Sequence, residues 1–143
     1  MSRQDPYRNF RFRIEIDGVQ AAAFSEVTIA ATTTDVIEYR DGTDPAAVRK
    51  LPGLHRFGNV TLKRGLTQSA ELWQWHKQVL SGDPQLRRRV VIVVLDESGN
   101  DQVRFVVSDA WPVRYEVGAL VAKGNDVAIE TLELANEGVE RVQ

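Results

Sequence analysis

The 143-residue chain contains no cysteine. That absence removes disulfides, thiolate metal centres and thiol nucleophiles together. Histidine is scarce too: only His55 and His76 occur, and they form neither the His-x-His nor the His-x-x-x-His pair that could begin a zinc site. No excess of one charge exists, since 18 Lys and Arg stand against 20 Asp and Glu, and a formal net charge of −2 gives no whole-surface attraction to nucleic acid or anionic lipid. No apolar run approaches the roughly 18 residues that a membrane span requires. The opening Met1-Ser2-Arg3-Gln4-Asp5-Pro6 has no apolar stretch behind its charge, so neither a cleaved signal nor membrane anchoring is expected. A Gly-rich phosphate loop and a Gly-x-Ser-x-Gly elbow are both missing, which takes away the usual supports for nucleotide and hydrolase chemistry. The expectation is a protein with no catalytic residues, no metal ligands and no cofactor.

What is present is mostly strand pattern. A chain of this length can bury roughly two-thirds of its unfolded surface, and no linker or repeat divides it, so one domain over 1–143 is expected. Phe10, Phe12, Ile14 and Ile16 alternate with Arg11, Arg13, Glu15 and Asp17, the two-residue period of a strand with one wet face. Asp17-Gly18 follows as a turn able to reach positive φ. Weaker strands run through Phe24, Val27 and Ile29, then from Thr32-Thr33-Thr34 to Val36, Ile37 and Tyr39. From Asp41 to Gly58 the breakers Asp44-Pro45, Leu51-Pro52-Gly53 and Gly58 predict one long exposed loop.

Strand character returns at Val60 and Leu62. The continuous apolar run Val90 to Leu95 predicts a central strand covered on both faces. After the turn Ser98-Gly99-Asn100-Asp101, the residues Val103, Phe105, Val107, Trp111, Val113, Tyr115 and Val117 share one phase, with Pro112 marking an edge or bulge. In the last strand Val127 and Ile129 differ in phase from Leu132 and Leu134, which predicts either a bulge near Glu130-Thr131 or a strand crossing to a subunit contact.

One helix is expected, at approximately residues 68–81. Leu72, Trp73, His76, Val79 and Leu80 share a face, Thr67 can cap the start, and Gly82 followed by Pro84 can end it. Leu72, Trp73 and Val79 are then the residues that pack the helix on the core. Trp75 points elsewhere and is a candidate contact between subunits. The sum is a mostly-β domain, a β-sandwich or barrel of about seven strands with one flanking helix. Asp96-Glu97 has the setting of a solvated bend, and Arg87-Arg88-Arg89 that of a strand entrance more than a nucleic-acid footprint.

The stretch Val60-Thr61-Leu62-Lys63-Arg64-Gly65-Leu66-Thr67, followed by Leu72-Trp73-Gln74-Trp75, resembles the tail-tube proteins of contractile phages and of phage-tail-like contractile injection systems. The resemblance continues in Asp5-Pro6-Tyr7, Phe10-Arg11-Phe12, Phe24-Ser25-Glu26-Val27 and Trp111-Pro112. It closes with the segment from Gly124-Asn125-Asp126 to Asn136-Glu137-Gly138. It implies a structural inner-tube subunit whose six-membered rings stack into a hollow tube within a contractile sheath. Partners would be further copies of the chain, the sheath protein, and baseplate and tube-initiator proteins, with effector or DNA cargo in the lumen. Assembly in the cytoplasm, in a particle that can later be released, would follow. The alternative is a secreted or cargo-carrying ring-forming binding module, like the related tube protein of type VI secretion.

Two sets of interface residues follow. In the segment 41–58, the apolar Val48, Leu51, Leu54 and Phe57, with His55, are candidates for contact between rings. A mobile surface loop is the alternative. Lys63 and Arg64 alternate across the pleat, so at least one leaves the core side; with Trp75 they are candidates for contact between subunits.

Overall fold

The computed structural model describes residues 11–21, 24–40, 42, 47–122, 124 and 127–142. Asp5-Pro6-Tyr7, Phe10, Asp41, Asp44-Pro45 and Asn125-Asp126 lie outside the described residues. The elements run β1 Arg11–Ile16, β2 Val19–Gln20, β3 Glu26–Ile29, β4 Thr32–Tyr39, β5 Arg49–Phe57, β6 Val60–Gly65, α1 Glu71–Leu80, β7 Arg88–Leu95, β8 Asp101–Val117, β9 Ile129–Ala135 and β10 Gly138–Arg141. The fold is mostly β with one helix, as expected, but it has ten strands among the described residues rather than about seven.

Eight of them form one antiparallel sheet in the order β2-β1-β7-β8-β9-β6-β3, with β10 also on β8. Its two ends are not hydrogen-bonded to each other, so the sheet folds over a shared core without closing into a barrel. An apolar cleft of about 460 Å³, lined by Phe12, Val27, Ile29, Ile92, Val94 and Phe105, marks the open seam between β3 and the β1-β7-β8 half.

The strand patterns translate directly into rows of core residues. Ile14 of β1 faces Ile92 of β7, which faces Phe105 of β8; Ile16, Val90 and Val107 form the next row. β7 is the central strand of this half, and Val90 to Val93 are all buried. Asp17 and Gly18 take φ of 51° and 80°, the left-handed pair of a two-residue hairpin that sets Ile16 opposite Val19.

β8 carries the sheet from one half to the other, and it does not keep one phase. Asp109 has φ 53°, and the register shifts between Pro112 and Arg114. Phe105 and Val107 therefore share the inner side with Ala110, Pro112 and Tyr115, and Pro112 stands at the irregularity its missing N–H requires. β9 holds an unbroken register against β6, so the expected bulge near Glu130-Thr131 is absent. Instead Leu132, Leu134 and the charged Glu130 face inward, while Ile129 faces out.

The helix is shorter than expected at its start. Thr67 does not cap it: its hydroxyl accepts from the Ser69 N–H at 3.2 Å, and Ala70 occupies the N-cap with no side-chain bond. At the other end Gly82, φ 74°, donates to the Val79 carbonyl and Asp83 donates to that of Gln78, the paired bonds of a Schellman stop. The buried face is Leu72 and Trp75, at 0% and 1% exposure, with Val79 half-buried one turn on. Trp73 is 41% exposed. The two tryptophans thus exchange the roles expected of them, because Trp75 can donate its indole N–H to the Leu86 carbonyl at 2.7 Å and so carry its whole ring inside.

Candidate assembly site

Residues 41–58 are not one loop. Arg49–Phe57 pairs with Thr32–Tyr39 along its length, from Thr32 opposite Phe57 to Tyr39 opposite Arg49, as a separate two-stranded ribbon. Pro52 and Gly53 fit within β5 because a two-stranded ribbon leaves one edge of each strand unpaired, and the register shifts beside them between Thr34 and Val36. The ribbon continues the β3–β6 pair, whose last partners Ile29 and Val60 lead directly into its root. One long hairpin therefore has its base in the sheet and its outer half projecting from it.

Every residue of β4 is exposed. Val36 (62%), Ile37, Tyr39, Leu51 and Leu54 (69%) are large apolar side chains left in water, and Val48 is as exposed as Leu51. An isolated hairpin is marginal in water, and its unpaired edges invite further pairing. His55 shares a 3.0 Å hydrogen bond with Thr34 across the ribbon, and Arg56 pairs with Asp35. Phe57 is half-buried at the root. The candidate residues Val48, Leu51, Leu54, His55 and Phe57 thus lie on or beside one ribbon. Val36, Ile37 and Tyr39 are the members that sequence reasoning did not single out as interface residues, although it placed them in a strand.

Lys63 and Arg64 do point to opposite faces, but Arg64 points inward. Its guanidinium is fully buried, donating from Nε to Glu130 at 2.9 Å and from Nη1 to Glu71 at 2.8 Å, over the Phe24 ring. Glu130 is itself buried and accepts from the Tyr115 hydroxyl at 2.6 Å. Burial pulls the Arg64 pKa down, and the bonds to Glu130 and Glu71 outweigh it, holding the pKa above its ordinary value. Burial, then the bond to Glu130, pushes the Tyr115 hydroxyl up to about 12. This network joins β6, β9 and β8 to the first turn of α1, so Arg64 and the buried Trp75 serve the inside of the subunit rather than a contact between subunits. Lys63 stays on the outer face, 4.0 Å from Glu26. Glu130 gave no sign in the sequence beyond holding an inward position in its strand.

Trp73 and His76 both lie against Tyr115, with ring centroids 5.4 and 6.5 Å away, forming a partly exposed aromatic cluster beside this network. Among the described residues no three His, Asp or Glu side chains are grouped to hold a metal ion, and no helix is long and apolar enough to cross a membrane. The features that stand out are uncovered apolar surfaces: the ribbon, and Leu120, Val121 and Val127 between β8 and β9.

The sequence model of the T4-like virus tail tube protein gp19 family matches residues 8–140. The chain belongs to this tail tube family. Similar solved structures include a chain of the anti-feeding prophage (AFP) baseplate, 26% identical with TM-score 0.77, covering 99% of this chain and 97% of that one. The AFP tube-terminating cap is 25% identical with TM-score 0.82, covering 100% and 95%. A chain of the PVC extracellular contractile injection system, in its extended sheath–tube complex, is 25% identical with TM-score 0.78, covering 96% and 91%. Hcp1 from Flavobacterium johnsoniae shares the fold at 14% identity and TM-score 0.56, covering 92% and 94%. No curated protein matches the sequence. A tail tube protein is a structural component and not an enzyme, so its functional sites are the surfaces through which it meets other subunits.

Proposed function

We propose that the chain is the inner-tube subunit of a phage-tail-like contractile particle, forming six-membered rings that stack into a hollow tube inside a sheath and conduct cargo or DNA. The observation that carries this reading is the ribbon β4–β5, which leaves Val36, Ile37, Leu51 and Leu54 exposed among the described residues of its own subunit. Head-to-tail rings give such a surface a partner on every subunit, and stacking repeats the contact without end. The six-fold symmetrised AFP baseplate supports the ring number by its likeness to this chain. The extended PVC sheath–tube complex supports the sheath as a partner in the same way. Within this assembly Val48, Leu51, Leu54 and His55 meet the adjacent ring, and Lys63 faces a neighbouring subunit.

The test is excision of Thr32–Phe57, with Ala31 joined to Gly58 by a short Gly/Ser turn. Loop closure costs change slowly with length, so the shortened subunit should fold while rods vanish from negative-stain micrographs. Rods of normal length from the shortened chain would refute the proposal. Isolated rings from the intact chain would favour a ring-forming carrier instead.

A further inference from the structure

Two long hairpins are interrupted side by side. One consists of β3–β4 against β5–β6 and is interrupted at Ala30-Ala31 and Gly58-Asn59. The other consists of β8 against β9 and β10. It keeps one register from Pro112–Leu134 to Ser108–Gly138, is interrupted at Asp109, opposite Asn136-Glu137, and shifts register beyond Pro112. The β6–β9 ladder ends with Val60 opposite Leu134, and in that register Gly58 stands opposite Asn136.

There a side chain replaces the ladder. Asn136 Nδ2 donates to the Gly58 carbonyl at 2.9 Å, while its Oδ1 accepts from the Gly138 N–H at 3.1 Å. Beside it Asn59 Nδ2 donates to Glu133 at 2.8 Å. Across the root, the Gly58 N–H donates to the Ala31 carbonyl and the Ala30 N–H to that of Asn59, both at 3.1 Å. No side chain fits at residue 58: a Cβ would lie 2.6 Å from that of Ala30 and 2.8 Å from the Ala31 oxygen. Beyond this joint, the extensive contacts of β4 and β5 are with each other. Among the described residues, the root at Gly58 is thus where the ribbon is tied to the rest of the domain.

We propose that Asn136, through its bond to Gly58, is the positioning residue that aims the ribbon at the neighbouring subunit. This rests on the ribbon's role in assembly, and one variant separates it from general stability. Asn136→Asp keeps the oxygen that accepts from Gly138 but turns a donor into an anionic oxygen facing the Gly58 carbonyl. Because the chain has no cysteine, the exposed Glu38 on the ribbon and Lys77 on the helix can be replaced by cysteine and spin-labelled, with labelled subunits diluted in unlabelled ones. Double electron–electron resonance should give one narrow distance distribution in the parent and a broadened or displaced one in Asn136→Asp. Its melting temperature should stay near the parent's, and rods should be lost. An unchanged distribution overturns the proposal whatever the micrographs show. A broadened distribution in a chain whose parent builds neither rods nor rings upholds the joint and sinks the tube reading alone. Should Asn136→Asp fail to fold, Asn136→Ser decides: it is too short to reach Gly58 and adds no charge, and a parent-like distribution in it refutes the proposal equally.

Discussion

Replacing Arg64 by methionine tests whether the buried network holds the subunit together. Arg64 and Glu130 are 0% and 1% exposed and meet at 2.9 Å. Methionine keeps the unbranched stem and its packing but, among the described residues, leaves the Glu130 carboxylate with the Tyr115 hydroxyl alone. Glu71, at the start of the helix, loses its bond to the guanidinium as well. Removing one partner of a buried pair costs about 3–5 kcal/mol, since the other charge stays out of water. Against a typical domain stability of about 5–15 kcal/mol, that is a large share. Exchanging both partners for apolar residues is often close to neutral, so Arg64→Met with Glu130→Leu should recover most of the loss. Urea unfolding followed by tryptophan fluorescence, at a concentration low enough to hold the subunits apart, measures all four corners of the cycle. The parent midpoint in Arg64→Met, or strict additivity of the two changes, would refute the reasoning. Normal subunit stability with failed assembly would return Arg64 to an interface.

The tryptophans give a paired comparison: Trp75→Ala should cost about 3–5 kcal/mol, as a large buried side chain that leaves a cavity. Trp73→Ala should lose little beyond its contact with Tyr115, worth about 0.5–1.5 kcal/mol; equal losses in thermal melts would show the helix face to be wrong. Tyr115 predicts an alkaline limit. Its folded pKa of about 12 lies above the ordinary value of 10.0, so its contribution is complete below pH 10 and is lost as pH rises through 12. Tyr115→Phe should flatten that part of a stability–pH profile; an unchanged slope would remove Tyr115 as its source.

Strands with one wet face were legible because their side chains obey a single rule. Phe12, Ile14 and Ile16 must all be covered, and a two-residue period admits one solution. Val90 to Leu95 was legible for the opposite reason, as a run apolar on both faces fits only the middle of a sheet. The inward Glu130 was not legible, since a carboxylate in an apolar phase looks like a phase error until its arginine is seen. Arg64 hid in the same way, as each charge makes the other's burial tolerable and neither reveals the pair alone. The helix face turned on one hydrogen bond: Trp75 enters the core because the Leu86 carbonyl lies within reach of its indole N–H, and periodicity carries no information about a carbonyl eleven residues away.

The assembly site was the least legible part because it breaks the rule by which strands are recognised. Pro52 and Gly53 argue against a sheet interior, and β5 is in no interior: among the described residues it pairs on one side only. Apolar residues without a matching polar face suggest a covered strand or a loop, and the ribbon is neither within one subunit. Val36 and Ile37 are adjacent and point to opposite faces of β4, so the ribbon is apolar on both faces and fits a strand only once the cover is allowed to come from another copy. An exposed apolar hairpin is costly for a monomer, and the costs that would select against it in a single domain vanish when every subunit meets a neighbour. The proposed positioning of the ribbon by Asn136 at Gly58 belongs to the same logic, because a surface that must find one partner gains from leaving the domain in one direction, with the entropy of holding that direction met within the fold before any neighbour arrives.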